Sequence, residues 1–144
     1  MKSIIQFAAL ALVFTLTTGR CFGMWEVEEV SRKRAKELGI EVRSQPADSG
    51  TVSVELEFPI QGAFKKFSED RSCRVDLRIG TGDKLLLTTT LREDRSKEGR
   101  ILVRFTADAS QLDQISLWVL VEEGSGGQAY GLGLKDLVGS EKKP

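Results

Sequence analysis

From residue 40 onward the chain alternates between apolar and polar positions. Val52, Val54, Leu56 and Phe58 fall on one side of an extended strand, and Ser53, Glu55 and Glu57 on the other. Cys73, Val75, Leu77 and Ile79 repeat the pattern against Arg74, Asp76 and Arg78, and Ile40 and Val42 alternate with Glu41 and Arg43. Further runs at 85–91, 101–105, 115–121 and 130–134 bring the expected total to about seven short strands. Glycine-rich or charged turns separate most of them, as at 80–83, 92–99 and 124–127. The connection at 108–113 is polar, with Leu112 expected to tuck inward.

Residues 24–38 follow a different period. Met24, Val27, Ala35 and Leu38 recur near helical spacing, with Ser31 in the same stripe. Glu26, Glu28 and Glu29 precede Arg32, Lys33, Arg34 and Lys36, an order that complements a helix dipole. Glu28 with Arg32 and Glu29 with Lys33 stand at i,i+4 spacing, and Gly39 supplies a stop. The pattern therefore predicts one amphipathic helix over 24–38, followed by an all-β unit. Strands without intervening helices suit an antiparallel β-sandwich of immunoglobulin-like type, with a small β-barrel as the alternative. The Cys…Trp…Cys spacing of antibody domains is missing, so the comparison concerns architecture alone.

Two segments, 84–91 and 115–122, are largely apolar on both faces. Leu86, Leu102, Trp118 and Leu120 point away from the expected core, beside a side-chain-free strip at Gly131 and Gly133. An apolar outer face must be covered or must bind something. The N-terminal helix is expected to cover it, with Trp25 near its edge.

The first 23 residues stand apart. Lys2 precedes an apolar run over 4–16 and then small residues, the order of a secretory signal peptide. The run falls short of the ~20 apolar residues that a membrane span needs. Cleavage after Gly23 would remove Cys21 and leave Cys73 alone, whereas cleavage after Gly19 would keep both cysteines. Removing 23 of the 144 residues takes two of the 21 basic groups and none of the 21 acidic ones, which leaves a net charge of −2 on a single domain, 24–144. That balance argues against a nucleic-acid partner. Secretion or a periplasmic location follows as the expectation, with the membrane involved only through the signal before cleavage.

Histidine is absent, which excludes His-dependent nucleophile systems and His-ligated zinc. The substitutes read as structural. Cys73 is in core phase, and Glu55 and Glu57 share an open strand face with nothing nearby to raise either pKa. The acidic pairs Glu69-Asp70, Glu93-Asp94 and Glu122-Glu123 lack calcium-loop spacing, and the glycine-rich stretch at 124–133 lacks the helix that a phosphate loop requires. Phe64 and Phe67 read as packing anchors beside solvated Lys65 and Lys66. No cofactor, metal or catalytic residue is expected. The sequence points to an exported, non-enzymatic interaction or structural module whose partner is an unknown protein or cell-envelope component. A carbohydrate-binding module using Trp118, Tyr130 or Trp25 is the second expectation, and a small acid-residue hydrolase built on Glu55 and Glu57 the third.

Overall fold

The computed structural model describes residues 25–69, 73–81 and 83–138. The expected signal peptide and Cys21 lie outside the described residues. In chain order the elements are β1 (Trp25–Glu29), α1 (Arg32–Leu38), β2 (Glu41–Pro46), β3 (Thr51–Pro59), a 3-10 turn (Gly62–Ser68), β4 (Arg74–Thr81), β5 (Lys84–Thr90), β6 (Glu93–Asp94), β7 (Arg100–Asp108), a second 3-10 turn (Ala109–Gln114), β8 (Ile115–Glu123), β9 (Gly126–Gly133) and α2 (Leu134–Val138).

The strands form two sheets, one ordered β1-β9-β8-β4-β5 and the other β2-β3-β7-β6. These are the G-F-C-C′ and A-B-E-D orders of an immunoglobulin-like sandwich, with β1 added parallel to β9. The sheets stay open, so the barrel alternative does not apply. Alternation decides what each sheet turns inward. Val54, Leu56 and Phe58 of β3 stand opposite Phe105, Val103 and Ile101 of β7. Val75 and Leu77 of β4 stand opposite Val119 and Leu117 of β8, which in turn face Tyr130 and Leu132 of β9. These inward residues make one core, joined by buried Cys73 and, from the 3-10 turn, by Phe64 and Phe67. Leu112 is half-buried against the same core, as its sequence position implied.

The predicted helix over 24–38 is corrected. Of its described residues, which begin at Trp25, only Arg32–Leu38 is helical, capped by the Ser31 side chain, which accepts from Arg34 N at 3.2 Å, and closed at Gly39. Residues 25–29 are a strand instead, because β9 would otherwise end its sheet as a row of open amides and carbonyls. Pairing β1 to that edge satisfies them and overrides helix propensity. The expected i,i+4 charge pairs dissolve with the helix, and Glu28 reaches Arg34 at 2.6 Å instead. Nor does α1 cover the outer face. Val30, Ala35 and Ile40 bury into the core itself, so the segment closes one end of the sandwich. No helix among the described residues is long and apolar enough to cross a membrane.

Candidate functional site

The outer face of the four-stranded sheet carries the two carboxylates singled out above. Arg43, Glu55 and Arg104 form one cross-strand row, with Arg43 Nη1 at 3.2 Å and Arg104 Nε at 2.8 Å from the Glu55 carboxylate. In the next row Glu41 stands directly opposite Glu57, a like-charge pairing that alone would destabilise the sheet. Cations offset it: Lys97 Nζ lies 2.7 Å from Glu57, Arg43 Nη1 lies 3.4 Å away, and Arg100 pairs with it as well. Glu57 is therefore buried, contrary to the open face expected for it.

Burial does not make it an acid catalyst. The Lys97 hydrogen bond and the Arg100 charge outweigh desolvation and hold Glu57 below the ordinary glutamate pKa, whereas a general acid needs the opposite shift. A stability prediction follows from the sign. A depressed carboxylate stabilises the fold above the unfolded pKa of ~4.3, and that contribution disappears as pH falls through the folded value. Glu57→Gln should cost about 1.5–3 kcal/mol at pH 6, the range for hydrogen bonds to charged groups. The gap between variant and parent should close toward pH 3. Asp94 and Asp108, both held low chiefly by hydrogen bonds from Ser96 and Ser110, leave the variant some acid sensitivity. Thermal melts from pH 3 to 8 check this, and an equal gap at pH 3 and pH 6 contradicts it.

On the outer face of the five-stranded sheet, the two indoles each lie against a glycine of β9. A Cβ on Gly131 would sit 3.1 Å from the Trp118 ring, and one on Gly127 would sit 3.1 Å from the Trp25 ring. Trp118 donates from Nε1 to Ser116 Oγ at 2.9 Å, and the Arg78 guanidinium carbon lies 4.3 Å from its ring centroid. Trp118 is thus covered by Arg78 in a cation–π stack, not by the helix. Leu120 is buried outside the main core, between Arg74 and Ala129 in the sheet register, but Leu102 does not share this face: it is buried on β7 of the other sheet, between Glu57 and Asp94. Beside Trp118 runs a groove of about 480 Å³ lined by Glu29, Ser31, Ser116, Gly131, Gly133 and Asp136 among others. Tyr130 does not reach this face. It is buried in the core with its ring centroid 5.2 Å from that of Phe64, and that burial pushes its hydroxyl pKa up.

Cys73 is buried, as its phase implied, and lines a second groove with Phe67, Arg74 and Arg95. Lys66 pairs with Glu123 at 2.9 Å, while Phe64 and Phe67 pack inward. Among the described residues no group of three or more Cys, Asp or Glu could hold a metal ion.

One feature stands out against these paired and covered surfaces. All seven residues of β5 are exposed, and Leu85, Leu86 and Leu87 are 58%, 55% and 51% accessible. Among the described residues, β5 ends its sheet with one side unpaired. Charge, proline and short length normally blunt such an edge. The other three edges have these devices: three glutamates on β1, Glu41, Arg43 and Pro46 on β2, and only two residues in β6. β5 has a single charge, Lys84, at its first position. The sequence marked this segment as apolar on both faces but gave only Leu86 weight. The run of three leucines was the signal for Leu85 and Leu87. Set against known proteins, the chain matches no family model, no curated protein and no solved structure.

Proposed function

We propose that this chain is an exported, non-enzymatic interaction module that docks its partner by strand addition along β5. The observation that carries the reading is the unblunted edge: seven exposed residues, three of them adjacent leucines, beside an open row of backbone donors and acceptors. Main-chain hydrogen bonds would supply affinity and the leucines apolar contact. The N-terminal charge-then-apolar pattern supports export. The carboxylates most open to a catalytic reading are ion-paired, which favours binding over chemistry.

The test is a photo-crosslinker placed at position 86, and separately at Ser53, in cells of the native host. Position 86 should crosslink to a partner and the exposed control on β3 should not. Leu86→Lys should lower recovery of that complex at least tenfold. Its melting temperature should stay within about 2 °C of the parent, since exposed substitutions usually shift stability by less than ~0.5 kcal/mol. Equal crosslinking from both positions contradicts the assignment.

The groove beside Trp118 favours a second reading, a carbohydrate-binding module. Glu29, Asp136 and Ser116 offer hydroxyl-binding groups beside an indole. The Arg78 stack weighs against it, because that guanidinium occupies ring surface a sugar would use. A glycan array probed with the parent and with Trp118→Ala decides, and only a hit lost in the variant supports it.

A further inference from the structure

We infer that the occupant of β5 is a second copy of this chain, joined edge to edge by antiparallel β5–β5 pairing about a two-fold axis at Leu86. The inference rests on β5 being the docking edge and names what sits there. Such an axis places each Leu86 opposite the other, each Leu85 opposite the second copy's Leu87, and each Leu87 opposite the second copy's Leu85. All six leucines then cover one another, and Lys84 falls opposite a threonine, clear of like charge. Moving the axis one residue to Leu87 would instead set Leu85 and Leu86 against threonines.

The pairing with β4 points to the same residue. Ile79 stands opposite Leu87 and Gly80 opposite Leu85, so a bulge leaves Leu86 without a station of its own on β4. Bulges often blunt an edge, but here the extra residue is an exposed leucine rather than a charge. Charge adds little barrier, since removal of the 23-residue leader leaves a net charge of only −2 and β5 carries only Lys84. The axis pairs residues 84–88 of each copy, and so short an edge pair buries less than ~1,200 Å² in total, the small end of specific interfaces. The expected association is therefore micromolar, and the two five-stranded sheets become one continuous sheet of ten strands.

Analytical ultracentrifugation of the purified chain from about 1 to 200 μM should show a reversible monomer–dimer equilibrium, weakened at least tenfold by Leu86→Lys. Cysteine scanning reads the register. Directly opposed residues of an antiparallel pair have Cα atoms ~4.5–5.5 Å apart, within disulfide range. Under mild oxidation Leu86→Cys should give a covalent dimer. Leu85→Cys alone should not, but mixed with Leu87→Cys it should; the unsubstituted chain controls for its native thiols. A chain that stays monomeric at 200 μM overturns the inference, as does Leu85→Cys crosslinking to itself as fast as Leu86→Cys. If the pure chain is monomeric while position 86 crosslinks a different polypeptide in cells, the second copy falls as the occupant and the docking edge stands.

Discussion

Phe58→Ala should lower the melting temperature by about 10–20 °C, the larger of the two strongest effects expected. The Phe58 side chain is completely buried near the end of β3. Its ring centroid lies 4.8 Å from that of Phe64 and 5.1 Å from that of Phe67, and Phe64 in turn meets Tyr130 of the opposite sheet. One ring thus ties β3 to the 3-10 turn and, through it, to β9. Truncating a buried phenylalanine costs about 3–5 kcal/mol, the lost transfer energy plus a cavity that rigid sheets cannot collapse. At about 4 °C per kcal/mol, where the ranges for smaller and larger domains meet, the shift follows. The Gly62–Ser68 turn loses its main anchor, so limited proteolysis should cut there faster than in the parent. A loss under 5 °C would mean that the aromatic cluster can repack and is not the keystone described.

The second large effect is expected at Gly127. A Cβ there would lie 2.2 Å from the Val121 carbonyl oxygen, 3.0 Å from Glu122 Cα and 3.1 Å from the Trp25 ring. The two nearer atoms are backbone and cannot swing aside. Gly127→Ala must therefore pull the start of β9 away from β8 and displace Trp25, which stands opposite Gly127 on β1. The expected cost is about 3 kcal/mol or more, the upper range for overpacking. Gly124→Ala is the control: its φ of 61° is costly for a side chain, but nothing lies within 4 Å of the added carbon. It should lose only about 1 kcal/mol. Denaturant midpoints at unchanged slope measure both, and equal losses would refute the clash.

The same two sites show how far residue patterns reach. Phe58 was readable as core because it continues the period of Val52, Val54 and Leu56, and period two alone decides which face it takes. The aromatic packing of Phe64 and Phe67, the core phase of Cys73 and the hairpin after β8 were readable for equally local reasons. β1 was not. Trp25, Val27 and Glu29 satisfy an alternating pattern as well as a helical one over five residues, and what selects the strand is the open edge of β9, formed about a hundred residues later. Glu57 was misread for a similar reason. Its neighbours along the chain leave it exposed, while Lys97 and Arg100, which bury and pair it, come from about forty residues later, at the turn into β7.

The candidate site was legible only in part. A run of three leucines followed by three threonines announces an apolar strand, yet the expectation was that a helix would cover its face. That segment was committed elsewhere, to the edge of β9 and to the end of the core, and Trp118 was covered by Arg78 instead. Tyr130 left the candidate site because its phase on β9 matches Leu132, which faces inward.

The residues in order determined seven of the strands, the inward faces of most of them, the sandwich class and the absence of histidine chemistry. Each depends on composition or on side-chain periodicity within a few positions. Tertiary structure alone decided that residues 25–29 become a strand, that Glu57 is ion-paired and buried, that Trp118 lies under an arginine, and that β5 is left as the open edge. Those outcomes turn on which distant strand ends beside which, and on whether an edge finds a partner within the chain. Local periodicity carries no information about that.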